Sequence, residues 1–135
     1  MSAYLNPREF LRLGGITLIA LGIIGFIAWY ASGMAANKLF YLDNGENVAH
    51  LVLGIVGLGL AYGMASQTSL LRLVTIVVGL VSLFFGVYGF MVAGNPAPNT
   101  FGVANLENPL DNLLHLVVAL WALASAFGKP AMAKR

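Results

Sequence analysis

Residues 43–63 and 108–128 repeat one another at a constant offset of 65. A chain written twice can adopt only an architecture that its unit can adopt twice. Asp43 matches Asn108, Glu46 matches Asp111, and Asn47 and His50 match Asn112 and His115. The apolar run behind them keeps step, with Leu51/Leu116, Gly54/Ala119, Gly57/Ala122, Ala61/Ala126 and Gly63/Gly128. The segments that precede these runs repeat at offset 64, pairing Arg8 with Arg72, Gly15 with Gly79, Gly22 with Gly86 and Gly25 with Gly89. The chain reads as one domain over 1–135, a doubled two-helix unit with repeat one at 8–65 and repeat two at 66–129. Its only two histidines are equivalent positions.

Charged residues make up 9% of the chain and hydrophobic ones 59%, far from the roughly 25% charge of soluble domains. So much apolar surface cannot be hidden in 135 residues, which points to a bilayer. Residues 13–30 and 73–92 carry no charge and are long enough to span. The apolar runs 50–64 and 113–127 are shorter, and their helices are expected to begin near Asn44 and Pro109. A helix over 109–127 is about 28 Å long, close to the ~30 Å hydrocarbon core. The expected fold is an all-α membrane protein of four transmembrane helices. Each repeat crosses twice, so the two are parallel repeats related by a pseudo-two-fold axis along the membrane normal.

Arg8, Arg12, Arg72, Lys129, Lys134 and Arg135 fall on the side of the termini, offset only by Glu9. The other side holds Lys38 against Asp43, Glu46, Glu107 and Asp111. The positive-inside rule then places both termini in the cytoplasm and the two longer loops, with the histidines, toward the outer face. The pI of 9.2 reflects these topology-setting residues, and no nucleic-acid partner is expected. The basic start, apolar run and small residues Ala31, Ser32 and Gly33 have the look of a cleavable signal peptide. Recurrence of the same glycine spacing in the third segment argues for a retained helix instead. Trp29, Tyr30, Phe40 and Tyr41 read as an outer aromatic belt. Residues 94–107 read as a turn-rich link, and the basic tail 129–135 as a segment suited to anionic lipid heads.

The repeated motif opens as a helix start. Asp43 or Asn108 takes the N-cap with an acid three residues on, and Pro109 takes the first helical position. At 100° per residue, Glu46, Asn47, His50, Gly54, Gly57 and Ala61 share one stripe, as do Asp111, Asn112, His115, Ala119, Ala122 and Ala126. Small residues on such a stripe let helix backbones approach closely in lipid. Two readings of the polar heads remain open. If the second and fourth helices pack across the axis, Asn47 reaches His115 and Asn112 reaches His50. Alternatively His50 and His115 are axial ligands of a (bacterio)chlorophyll or haem, with Glu46, Asp111, Asn47 and Asn112 as supporting groups and the small residues as a flat wall for the ring.

Sharper chemistries lack their residues. There is no cysteine, which excludes disulfides and thiolate metal sites. The di-iron pattern needs Glu-x-x-His, whereas here acid and histidine are four apart. No metal site is assigned; one built from both histidines with Glu46 or Asp111 requires a convergence that spacing does not establish. No charge or proline lies deep in a span, as coupled transport usually requires, and no nucleophile–base pair or phosphate loop appears.

The strings Asn47-Val48-Ala49-His50-Leu51 and Asn112-Leu113-Leu114-His115-Leu116 resemble an Asn-x-x-His-Leu motif. That motif opens the second and fourth helices of an uncharacterised family of small bacterial four-helix membrane proteins. The resemblance covers nearly the whole chain. It implies a topology and no activity, since the family is a domain of unknown function. The expected role is a non-catalytic accessory or scaffold subunit of a larger membrane complex, with lipids, other membrane proteins or its own copies as partners. The alternative is a tetrapyrrole-binding subunit of a photosynthetic or electron-transfer complex.

Overall fold

A computed structural model describes residues 5–32 and 43–128. Four helices account for most of them: α1 (Pro7–Ser32), α2 (Asn44–Gly63), α3 (Thr68–Met91) and α4 (Leu110–Ala126). Lys38, Phe40, Tyr41 and the basic tail 129–135 lie outside the described residues, and with them part of the expected belt and lipid contact.

Helix α1 begins earlier than the charge-free run suggests. The Asn6 side chain accepts the Glu9 N–H at 3.0 Å, and Pro7 stands in the first turn, where its missing N–H costs nothing. The extra turns carry Arg8 and Arg12. The Arg8 Nε–H donates to the Ala61 carbonyl at 3.0 Å, satisfying one of the free acceptors at the end of α2. Arg12 pairs with Glu9, a half-buried pair within one helix turn and of modest energetic weight.

Helices α1, α2 and α3 are long and apolar enough to cross a membrane, with mean hydropathies of 2.1, 1.3 and 2.4. Helix α4, at 17 residues, is shorter, about 26 Å. Bulky side chains on all four helices face outward, among them Ile27, Ile55, Leu80 and Leu120. The interior is built from small residues, with Ala61, Ala122 and Ala126 wholly buried. This inside-out distribution is what a lipid environment requires, because apolar atoms gain little by leaving it and helices associate through close packing instead.

The glycines show how close that packing is. In the α1/α2 hairpin a Cβ on Gly15 would stand 2.9 Å from the Gly54 carbonyl oxygen, and one on Gly22 would stand 2.7 Å from the Leu51 side chain. In the α3/α4 hairpin a Cβ on Gly79 would meet Leu123 at 3.0 Å, and one on Gly86 would meet Leu116 at 2.7 Å. Helix α1 also packs on α3 and α4, through a cluster at the end of the bundle near the N-terminus. There Phe10 meets the Trp121 ring edge-on at 4.7 Å, beside Leu11, Leu71 and Ala122. The close partners are therefore α1 with α2 and α3 with α4. The face-to-face packing of α2 on α4 that one of the two readings requires does not occur, because each even helix spends its small-residue face on its own hairpin.

The connection from α2 to α3 is a tight turn closed by Gln67 N–H to the Met64 carbonyl, 2.8 Å. The link from α3 to α4 is longer and folded. Thr100 and Ala104 pair as an antiparallel bridge, and the Asn99 side chain spans the loop, accepting the Leu106 N–H at 2.9 Å and donating to the Leu106 carbonyl at 3.1 Å.

Candidate functional site

The starts of α2 and α4 come together at the end of the bundle covered by this folded link. At α2 the expected capping box forms in full. Asp43 is extended, its carboxylate accepts the Glu46 N–H at 2.9 Å, and Glu46 accepts the Asp43 N–H at 3.1 Å. The second Asp43 oxygen accepts the Asn105 N–H at 2.8 Å, which ties the link down onto α2.

At α4 the expected start is corrected. Pro109, not Asn108, occupies the N-cap position, and no side chain caps the helix. Pro109 lies at φ −98 and ψ −4, and the helix proper begins at Leu110, one residue later than the repeat implies. The Asp111 carboxylate reaches back to the Glu107 N–H at 3.2 Å, and the Asn108 side chain accepts from Asn112 Nδ2 at 3.2 Å.

As a result, one carboxylate oxygen from each of Glu46, Glu107 and Asp111 lies within 4.8 Å of the others. Like charges this close favour shared protons, and oxygen donors of this kind suit a hard cation. Among the described residues this is the grouping that could hold a metal ion. Glu107, half-buried in the link, has its pKa raised from 4.5 to about 8, first by burial, then by its hydrogen bond with Asp111 and the nearby charges of Asp111 and Asp43, against a lowering contribution from Asn105. Glu107 was no candidate from sequence. It has no counterpart in the repeated motif, and only the path of the link brings it to the two helix starts.

Both histidines lie at this same end, one turn beyond Glu46 and Asp111. The His115 Nδ1–H donates to the Asp111 main-chain carbonyl at 2.9 Å, and its ring lies 5.9 Å from that of Phe85. His50 Nδ1 is buried without a hydrogen-bond partner among the described residues. Neither carboxylate orients its imidazole, contrary to the supporting role drawn for Glu46 and Asp111.

Asn47 and Asn112 are fully buried, and both point into their own hairpins. A Cβ on Gly25 would collide with Asn47 Oδ1, and one on Gly89 with Asn112 Oδ1. Each amide oxygen therefore lies along a glycine Cα–H direction, the arrangement of a weak C–H···O contact at a helix–helix crossing. This replaces the expected Asn47–His115 and Asn112–His50 bonds. The same packing removes the flat wall proposed for a tetrapyrrole. The space at Gly54 is filled by Ile19 and the Gly15 carbonyl, a Cβ on Gly57 would stand 3.2 Å from the Leu11 carbonyl oxygen, and Ala122 packs on Gly79. The residues do not fit a planar macrocycle laid on these stripes.

A family model described as a domain of unknown function, DUF4383, matches residues 8–128. The chain belongs to this family. No curated protein and no solved structure matches it. The DUF4383 match runs from Arg8 to Gly128, so it takes in both hairpins, the folded link and the carboxylate cluster.

Proposed function

We propose that this DUF4383 chain is a non-catalytic subunit integral to a bacterial inner or photosynthetic membrane, serving as an accessory or scaffold element of a larger membrane assembly. The observation that carries this reading is the distribution of side chains. Small residues close the interior, while bulky apolar side chains on all four helices are left for lipid or neighbouring proteins. Such a surface offers rigid, shape-specific faces.

In the same reading all four helices span, as two parallel hairpin repeats about a pseudo-two-fold axis. The matched contacts Gly25–Asn47 and Gly89–Asn112 support that arrangement. The termini are cytoplasmic, since Arg8, Arg12 and Arg72 lie at the end opposite Asp43, Glu46, Glu107 and Asp111, and the Asn-x-x-His-Leu segments face outward. Partners are membrane lipids, other integral proteins or further copies, and no nucleic acid.

The test is native purification in mild detergent at natural expression level. The chain should migrate with an assembly much larger than its own 14.3 kDa plus a micelle. Recovery as a lone monomer overturns the proposal.

A further inference from the structure

The link after α3 doubles back along the helix it leaves. The Phe101 ring stacks on that of Tyr88, 5.2 Å away and 7° from parallel, and lies 6.4 Å edge-on from Phe85. Tyr88 and Phe85 precede the last residue of α3, Met91, by three and six positions, about 4.5 and 9 Å inside the helix end. With 24 residues, α3 is about 36 Å long against a hydrocarbon core of ~30 Å, so only about 3 Å of each end stands clear of a centred core. The ring of Phe101 thus returns to the depth at which hydrocarbon begins.

We propose that residues 99–106 form an interfacial re-entrant loop that inserts Phe101 and Val103 into the lipid leaflet beside α3. Phe101 and Val103 are 65% and 73% exposed. They extend a surface that already belongs to the lipid-facing side, because Tyr88 stacks in turn on the exposed Phe84 at 5.4 Å. Phe84, Tyr88 and Phe101 make one continuous aromatic column from helix into loop.

The backbone of the loop is prepared for a medium that offers few hydrogen bonds. Five consecutive N–H groups find acceptors within the protein: Val103 and Ala104 on the Thr100 carbonyl, Asn105 on Asp43, Leu106 on Asn99 and Glu107 on Asp111. The Thr100 N–H bonds the Ala104 carbonyl at 3.0 Å. Irregular backbone is not left exposed to the hydrocarbon itself, so the loop's main chain stays at the headgroup level and only the Phe101 and Val103 side chains enter the leaflet. The tip itself is strained, with Phe101 at φ 50 beside Gly102 at φ 73. A bulky side chain in the left-handed region is disfavoured, and a lipid-immersed ring offsets that cost where a solvated one does not.

The experiment places 4-fluorophenylalanine at position 101 of the full chain in nanodiscs of phosphatidylcholine and phosphatidylglycerol. It compares fluorine relaxation by a nitroxide lipid labelled high on the acyl chain with relaxation by a water-soluble paramagnetic chelate. Relaxation by the lipid label should exceed that by the chelate several-fold, as it should for the same label at Phe84. A ring at 101 relaxed chiefly by the chelate is in water, and one relaxed by neither is covered by protein or a second copy; either result overturns the proposal. If the Phe84 label also answers only to the chelate, α3 itself does not face lipid, and the spanning reading falls along with the loop.

Discussion

The two hairpins share their deep contacts and differ at their helix starts. In both, an asparagine amide oxygen sits on a glycine Cα (Asn47 on Gly25, Asn112 on Gly89), and a leucine fills the next glycine notch (Leu51 at Gly22, Leu116 at Gly86). At the caps they diverge. Asp43 closes a reciprocal capping box, whereas α4 starts on Pro109 with no side-chain cap, and Asp111 reaches the Glu107 N–H four residues back. The difference separates two kinds of constraint. At Gly25 and Gly89 the crossing admits one residue type, since any Cβ meets a buried amide. A helix end has several ways to satisfy its free N–H groups, so the repeat can change residues there and keep the fold.

The sharpest way to break the comparison is to fill the notches. Gly25→Ala and Gly89→Ala should each destabilise the protein by about 1–3 kcal/mol through overpacking against Asn47 or Asn112, while Gly59→Ala, which meets nothing within 4 Å, should cost nothing and add up to about 1 kcal/mol of helix propensity. Reversible unfolding in detergent mixtures reads all three. A large loss at one notch and none at the other would show that the hairpins are not equivalent where they look most alike.

A smaller effect should come from the caps. Asp43→Ala removes the capping box and the bond to Asn105 and should cost about 1–2 kcal/mol. Pro109→Ala removes no side-chain cap and should stay within about 0.5 kcal/mol. Equal losses in the same unfolding assay would mean that the proline start carries as much of the fold as the capping box.

The smallest effect is a pH dependence at the cluster that both helix starts share with the link. The Glu107 carboxyl holds its proton more tightly when folded, at about 8 against an ordinary 4.5. Its contribution to stability is therefore fully present below 4.5 and is lost as pH rises through about 8. Thermal unfolding across that window should show a modest fall in Tm, reduced by partial exposure of the side chain, and Glu107→Gln should flatten it. An unchanged slope in the variant would move the titration to another group.

Much of this was legible in the chain. Glycine rows spaced to one helix face announced close crossings, and Asp43 with Glu46 announced a helix start, because both signals depend on a single helix's geometry. The pairing of faces was not legible. The stripe through Asn47 and His50 suits an opposite even helix, a flat ring or the helix before it equally well, and only the assembled bundle shows that the last is used. Glu107 was unreadable for a related reason: it lies in a segment without periodicity, whose course depends on bonds from Asn99, Asp43 and Asp111, one of which, Asp43 to Asn105, spans 62 positions.

By itself the sequence determined the helix count, segments apolar enough to cross a membrane, the repeated residue pattern and the residues too close-packed to carry a side chain, since each follows from local composition and period. Tertiary structure alone decided which faces meet, that three carboxylates from two helices and a link converge, and that Phe101 returns to the side of α3. Those outcomes depend on the relative placement of elements far apart along the chain, and side-chain periodicity within one helix carries no information about its neighbour's position.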